Sequence, residues 1–263
     1  MRPPVGRHAT LTAVLLAAAA CSAGLSAAAS MLPTPTAVTY NGSPSVGALF
    51  RSAHVAEHTC TATVLDSPTR NLLITAAHCI RGDARGYIFV PGYHDGKEPF
   101  GAWRVNAAFG PASWVNNRNP QADLAILEVA PHDPHGHLID IQAVTGGHKL
   151  ADSPTAGGTV TVPAYASGTD DKPFKCTARV YYHSGYPAFD CHSYPDGTSG
   201  AAWLLKTSQG QVIAGVIGGL HQGGCTAVTS YTSTFGNQAL NTYSRAVHNQ
   251  PANTFPPSDG DGC

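Results

Sequence analysis

A succession of short β-rich runs constrains this chain more than any other feature. From Val46 onward the sequence reads "VGALF", "HTCTATVL", "NLLITAAHC", "GYIFVPG", "GAWRVNAAF", "ADLAILEV", "TVTVPAYAS", "CTARVYYHS", "AAWLLK" and "QVIAGVIGGL". Clusters of Gly, Pro, Asn or Asp separate most of these runs. Short strands at regular spacing with turn signals between them indicate a β-barrel or a sandwich. Strands and helices do not alternate, which excludes a doubly wound parallel sheet. One late segment differs. "NQALNTYSRAVHNQ" places Ala239, Leu240, Tyr243 and Val247 near a 3.6-residue period, with Asn237 as a cap and Pro251 beyond the end, and predicts a helix over 237–248.

The first thirty residues are of another kind. Arg2, Arg7 and His8 precede an apolar run, and Ala27, Ala28 and Ala29 form an A-x-A-like site, so 1–29 reads as a secretory signal. Cys21 is not preceded by the Leu typical of a lipid-anchored leader, because Ala18 stands three residues before it. Residues 30–45, rich in Pro and Thr, read as an N-terminal arm or short pro-segment. No later run approaches the 18 or so apolar residues needed to span a bilayer. The formal charge is −1 over 263 residues, without a basic stripe, which argues against nucleic acid as a partner. Export favours disulfides. Cys60, Cys79, Cys176, Cys191, Cys225 and Cys263 follow the leader, and spacing alone does not choose among their pairings.

Three places could carry chemistry. "LLITAAHC" puts His78 just past the end of an apolar strand, where a scaffold holds it beside a cleft. "QADLAILEV" puts Asp123 immediately before an apolar run. A carboxylate there is desolvated and needs a donor, which an imidazole N–H supplies. "YPDGTSGAAW" sets Ser199 among glycines, where a tight turn can aim the N–H groups of Gly197 and Ser199 at a common point, an oxyanion hole. Together they form a Ser-His-Asp set. His78 takes the hydroxyl proton, and Asp123 fixes the imidazole tautomer. Singly, each has a blander reading as a structural histidine, a turn aspartate or a tight turn. The order His…Asp…Ser and the unusual flanks make the joint reading the stronger one.

At these residues the chain resembles the trypsin/chymotrypsin-like serine proteases, especially their secreted bacterial branch with its glutamyl-endopeptidase-like members. "TAAHC", "DLAIL" and "DGTSG" match the family's histidine, aspartate and serine motifs, and "FVPGYHDGKEPFGAWRV" looks like a stretch recurring in that branch. The resemblance spans about Val46 to Val247. It implies an all-β fold of two antiparallel six-stranded β-barrels packed together, about 46–140 and 141–235, followed by the C-terminal α-helix, with 249–263 as a polar tail. It implies peptide-bond hydrolysis, a Cys60–Cys79 bridge beside the histidine, and a bridge between Cys176 and Cys191. Cys225–Cys263 then remains by elimination, with Cys191–Cys225 as its rival. Two departures stand out. Thr198 occupies the place of the family's usual Asp and no Ile-Val-Gly-Gly start occurs, so activation by N-terminal insertion is not expected. Gly200-Ala201-Ala202 replaces the usual Gly-Gly-Pro or Gly-Ser-Pro, and the alanine methyls are expected to crowd the turn.

The same resemblance places the substrate pocket at Ser193, Tyr194, Pro195, Ile217, Gly218, Gly219, Leu220 and His221. Ser193, where trypsin-like enzymes hold an Asp, argues against a strong Arg/Lys preference. "GLHQGG" resembles the "GIHWGG" of glutamyl endopeptidases, but His221 lies farther from the serine, so glutamyl, small and apolar preferences and a plain surface-loop His221 all stay open. An α/β-hydrolase is excluded by Ala201 and by triad order. "HDPHGH" (His132, His135, His137) and the pair His54 and His58 lack an H-E-x-x-H pattern. The expected protein is thus a secreted, extracellular, monomeric endopeptidase acting on polypeptides, with no cofactor, no metal, and no membrane contact after leader removal. A protease-fold binding module is the alternative.

Overall fold

The computed structural model describes residue 1 and residues 33–54, 56–132, 137–169, 171–257, 260 and 263. Residues 2–29 of the leader, residues 30–32 of the arm and His135 of the histidine-rich stretch lie outside the described residues. Thr34–Cys263 forms one compact unit.

The strands in chain order are β1 (Val38–Thr39), β2 (Val46–Phe50), β3 (His58–Val64), β4 (Leu72–Thr75), β5 (Ile88–Pro91), β6 (Trp103–Phe109), β7 (Ala125–Val129), β8 (Lys149–Leu150), β9 (Thr159–Ala164), β10 (Phe174–Arg179), β11 (Tyr181–His183), β12 (Tyr186–Asp190), β13 (Ala202–Thr207), β14 (Gly210–Val216) and β15 (Thr229–Tyr231). Among the described residues, α-helices α1 (Ala112–Asn117), α2 (Ile141–Thr145) and α3 (Asn237–Val247) accompany them. β2-β3-β4-β7-β6-β5 closes into an antiparallel barrel. The second half is not a closed ring of six. A six-stranded sheet, β1-β10-β9-β13-β14-β8, and a three-stranded sheet, β11-β12-β15, share one core that includes Val160, Val162, Phe189, Trp203 and Ile217. The architecture is thus mostly β, closed by a C-terminal helix.

The continuous apolar runs have a simple cause. Side chains alternate along a strand, and β4 and β7 are buried on both faces. Leu73, Ala125, Leu127 and Val129 point into the closed barrel with Phe89, Trp103 and Val105. Leu72, Ile74 and Ile126 point the other way, into a second core shared with Leu204, Ile213, Val216, Phe235 and the α3 residues Ala239 and Ala246. That second core glues the two halves together. Each such Leu or Ile contributes about 1.5–3 kcal/mol on burial.

Several sequence expectations shift at the edges. The arm is stitched into the second half, since β1 pairs with β10 and Thr36 bridges His192. α3 begins at Asn237, and Gly236, at φ 140°, occupies the cap position, so Asn237 is not the cap. Leu240 lies off the packed face, 48% exposed, because Ala239, Thr242 and Ala246 hold the contact. The polar tail is not detached either. Phe255 fills the closed barrel's core and its backbone pairs with Gly82. Three disulfides, Cys60–Cys79, Cys176–Cys191 and Cys225–Cys263, cross-link the unit. Among the described residues no helix is long and apolar enough to cross a membrane.

Candidate active site

Strand register brings His78 and Asp123 together. β4 and β7 are antiparallel neighbours with Thr75 opposite Ala125. His78 lies three residues beyond Thr75, on a 3-10 helix at Ala77–Cys79, and Asp123 lies two residues before Ala125, at the same end of the sheet. The turn before Asp123 is itself fastened. Asn119 caps a 3-10 helix at Pro120–Ala122, and Gln238 of α3 donates to the Gln121 carbonyl.

Asp123 is fully buried, so its carboxylate depends on donors. It has three. The His78 backbone N–H reaches Oδ1 at 3.0 Å, His78 Nδ1 reaches Oδ2 at 2.7 Å, and the Gly219 N–H reaches Oδ2 at 2.9 Å. With Nδ1 donating its proton to the carboxylate, His78 Nε2 carries the lone pair. The side chain of His78 is 9% exposed and lines a cleft of about 670 Å³ between the two halves.

Ser199 lines the same cleft from the second half. In this structure its hydroxyl and His78 Nε2 form no hydrogen bond; such contacts commonly tighten only once substrate is bound. The loop that carries Ser199 is clamped to the closed barrel through Thr61 on β3. Thr61 N donates to Ser199 O at 2.8 Å, and Thr61 Oγ1 donates to Gly197 O at 3.1 Å. The flanking glycines permit this closeness. At Gly197, φ +92°, a Cβ would meet Ser167 N at 2.0 Å, and at Gly200, φ +80°, it would meet Thr75 Oγ1 at 2.0 Å. With their carbonyls engaged, the amides of Gly197 and Ser199 have no protein acceptor among the described residues, which suits an oxyanion hole.

The two departures in the motif have local explanations. Thr198 is buried and its hydroxyl donates to the Pro195 carbonyl at 2.8 Å, so the turn is held from within rather than by an ammonium group. Ala201 and Ala202 do not crowd the turn. Both are fully buried, Ala201 in the second-half core and Ala202 in the core between the halves, so their methyls serve as packing.

Of the residues assigned to the substrate pocket, Tyr194, Pro195, Ile217 and His221 line the cleft. Ser193, Gly218, Gly219 and Leu220 do not. Ser193 is exposed on a left-handed turn at φ 71°. Gly218 and Gly219 support the carboxylate instead. A Cβ at Gly218 would lie 2.9 Å from Asp123 Oδ2, and Gly219 supplies the third donor. Gln222 through Ala227, Ser230, Ser167 and Cys263 complete that wall, and Arg51, Thr59 and Arg81 enter from the closed barrel. None of these carries a local motif; the "QGGC" glycines at 223 and 224 were the available hint. Cys60, His78 and Cys79, and likewise His221, Cys225 and Cys263, group their donor atoms, but the cysteines in both groups are spent in disulfides.

No protein-family model matches the chain, and no curated protein matches it. Solved structures share its fold. The protease Anisep from Arthrobacter nicotinovorans superposes with a TM-score of 0.69 at 20% identity, covering 81% of this chain and all of that one. A Glu endopeptidase gives 0.60 at 15% identity, covering 82% of this chain and 99% of its own. Human heparin binding protein also gives 0.60, at 14% identity, covering 85% of this chain and all of its own. The chain therefore has the trypsin-like serine-protease fold. Heparin binding protein is named for binding, so the function of this chain has to be argued from the site.

Proposed function

We propose that this chain is a secreted serine endopeptidase that hydrolyses peptide bonds through an acyl-enzyme on Ser199. Ser199 Oγ attacks the scissile carbonyl carbon as His78 Nε2 takes its proton, and the Gly197 and Ser199 amides hold the oxyanion. The imidazolium, stabilised by Asp123, then gives that proton to the departing amine as the C–N bond breaks. Water attacks the resulting ester, with His78 again as base. The ester C–O bond breaks, the acid product leaves and Ser199 regains its proton. No metal or cofactor enters any step. The three disulfides accord with an oxidising, extracellular setting, and the leader with export. The enzyme acts as a monomer on polypeptides.

One observation carries this reading: a fully buried carboxylate with three donors orients an imidazole whose other nitrogen serves a cleft shared with a serine between two glycines that tolerate no side chain. A fluorophosphonate probe tests it. Labelling of the purified chain at Ser199, abolished in Ser199→Ala and in His78→Ala, is expected. A chain that stays unlabelled while folded would instead be a binding module on this fold.

A further inference from the structure

The cleft is electrically lopsided. His78, Arg51 and Arg81 enter it from the closed barrel, whereas Asp196, the only Asp or Glu among its described lining residues, comes from the second half. The two guanidinium groups are exposed and make no ion pair among the described residues, although Arg70, Arg85 and Lys172 elsewhere do. Their placement is fixed by the fold. Arg51 follows β2 directly. Arg81 follows the histidine helix and its bridge, and the buried Tyr87 hydroxyl accepts from the Arg81 amide at 3.1 Å and donates to the Cys79 carbonyl at 3.3 Å. Burial pushes that hydroxyl's pKa up, while the Arg81 amide and the charges of Arg51 and Arg81 pull it back, so both cations lie near this buried hydroxyl behind the lining residues Cys79 and Arg81.

Chemistry assigns the direction. His78 must hand its proton to the departing amine, so the leaving half of the substrate lies along the His78 side of Ser199. Tyr194, Ile217 and His221, on the opposite half of the protein, flank the acyl side. We propose that Arg51 and Arg81 form a subsite for acidic side chains in the first two positions after the scissile bond, so that the preferred substrates are polypeptides with Asp or Glu just downstream of the cut. This rests on the protease reading. An exposed, salt-sensitive pairing of this kind is modest per contact, and two together correspond to about a three- to tenfold preference at low salt.

The test compares matched peptides that differ only in Glu, Gln or Lys at those two positions, after fluorophosphonate labelling has established a competent Ser199. We expect kcat/KM for the Glu peptide to exceed that for the Gln peptide by that factor at low salt, to converge with it in 1 M salt by screening, and to fall below the Lys peptide in the Arg51→Glu/Arg81→Glu variant. A Glu-to-Gln ratio near one in the wild-type enzyme at low salt, or a ratio indifferent to salt and to charge reversal, overturns the subsite while leaving the protease intact. Failure to label Ser199 overturns the protease reading and the subsite with it.

Discussion

Among the described residues the molecule contains two His–Asp pairs, and they are built for opposite ends. In the first, His78 turns Nδ1 to Asp123 at 2.7 Å and leaves Nε2 to the cleft. In the second, His58 turns Nε2 to Asp171 at 2.6 Å and leaves Nδ1 sealed in the protein without a partner among the described residues. His58 has no exposed surface, and the rings of Phe50, Tyr93 and Tyr165 stand edge-on around it with centroids 5.4–5.7 Å away. The carboxylates are reversed as well. Asp123 is fully buried with three donors, whereas Asp171 is partly exposed and one of its oxygens has no partner among the described residues. The first pair leaves a lone pair open to a substrate. The second fastens strand to loop, because His58 also exchanges backbone hydrogen bonds with Gly168, next to Ser167, whose backbone packs against Gly197. A carboxylate-bound imidazole becomes a base only where its other nitrogen meets open space.

The strongest way to break this comparison is to remove each imidazole. His78→Ala is expected to lower kcat by about 10⁴–10⁶-fold with little loss of stability, and His58→Ala to do the reverse, changing kcat by less than about tenfold while lowering the melting temperature. Peptide hydrolysis and thermal unfolding on the same samples check both, and near-normal turnover in His78→Ala would reject it as the base. Asp123→Asn comes next, at about 10⁴-fold in kcat, because the amide cannot hold the required tautomer. Gly197→Ala follows. Its methyl would strike the Ser167 backbone, and the displaced amide is expected to cost about 10²–10³-fold in kcat. Asp171→Asn is expected to leave kcat within a few-fold and to cost about 1–3 kcal/mol in denaturant unfolding, the penalty of disturbing a buried hydrogen bond.

A third histidine supplies the smallest and sharpest contrast. His148 has no carboxylate; its Nδ1 donates to the Gln211 carbonyl at 3.2 Å and its Nε2 accepts from Ser45 at 2.9 Å. Burial depresses its pKa below 6.5, partly offset by the Gln211 contact. A depressed base binds fewer protons folded than unfolded. Its stabilising contribution is therefore complete above pH 6.5 and is lost as pH falls from there through the folded-state value. Unfolding measured between pH 7 and pH 5 should show this slope, and His148→Gln should flatten it.

How legible each pair was in the sequence follows from locality. His78, Asp123 and Ser199 sit in distinctive flanks: a strand end with small residues, a polar residue before an apolar run, and a serine among glycines. Those flanks exist because each residue needs a local backbone geometry. His58 and Asp171 lie 113 positions apart in ordinary surroundings, and tertiary contacts such as the His58–Gly168 backbone bridge make them neighbours. The reassignment of Gly218 and Gly219 from pocket to carboxylate support has the same origin, since their partner, Asp123, is set by tertiary contact rather than by neighbouring sequence.

By itself the sequence determined what its local pattern could encode: short, continuous apolar runs that demand strands buried on both faces, glycines at 197 and 200 where the chain must turn left-handed, and the order of His78, Asp123 and Ser199. Tertiary structure decided which ring nitrogen of each histidine meets a cleft and which is sealed, that the second half forms two sheets rather than a closed ring, and that Phe255 completes the closed barrel's core. The physical reason is one of range. Backbone preference and side-chain alternation act over a few residues, whereas burial, register and hydrogen-bond partners are properties of surfaces that exist only after distant strands have met.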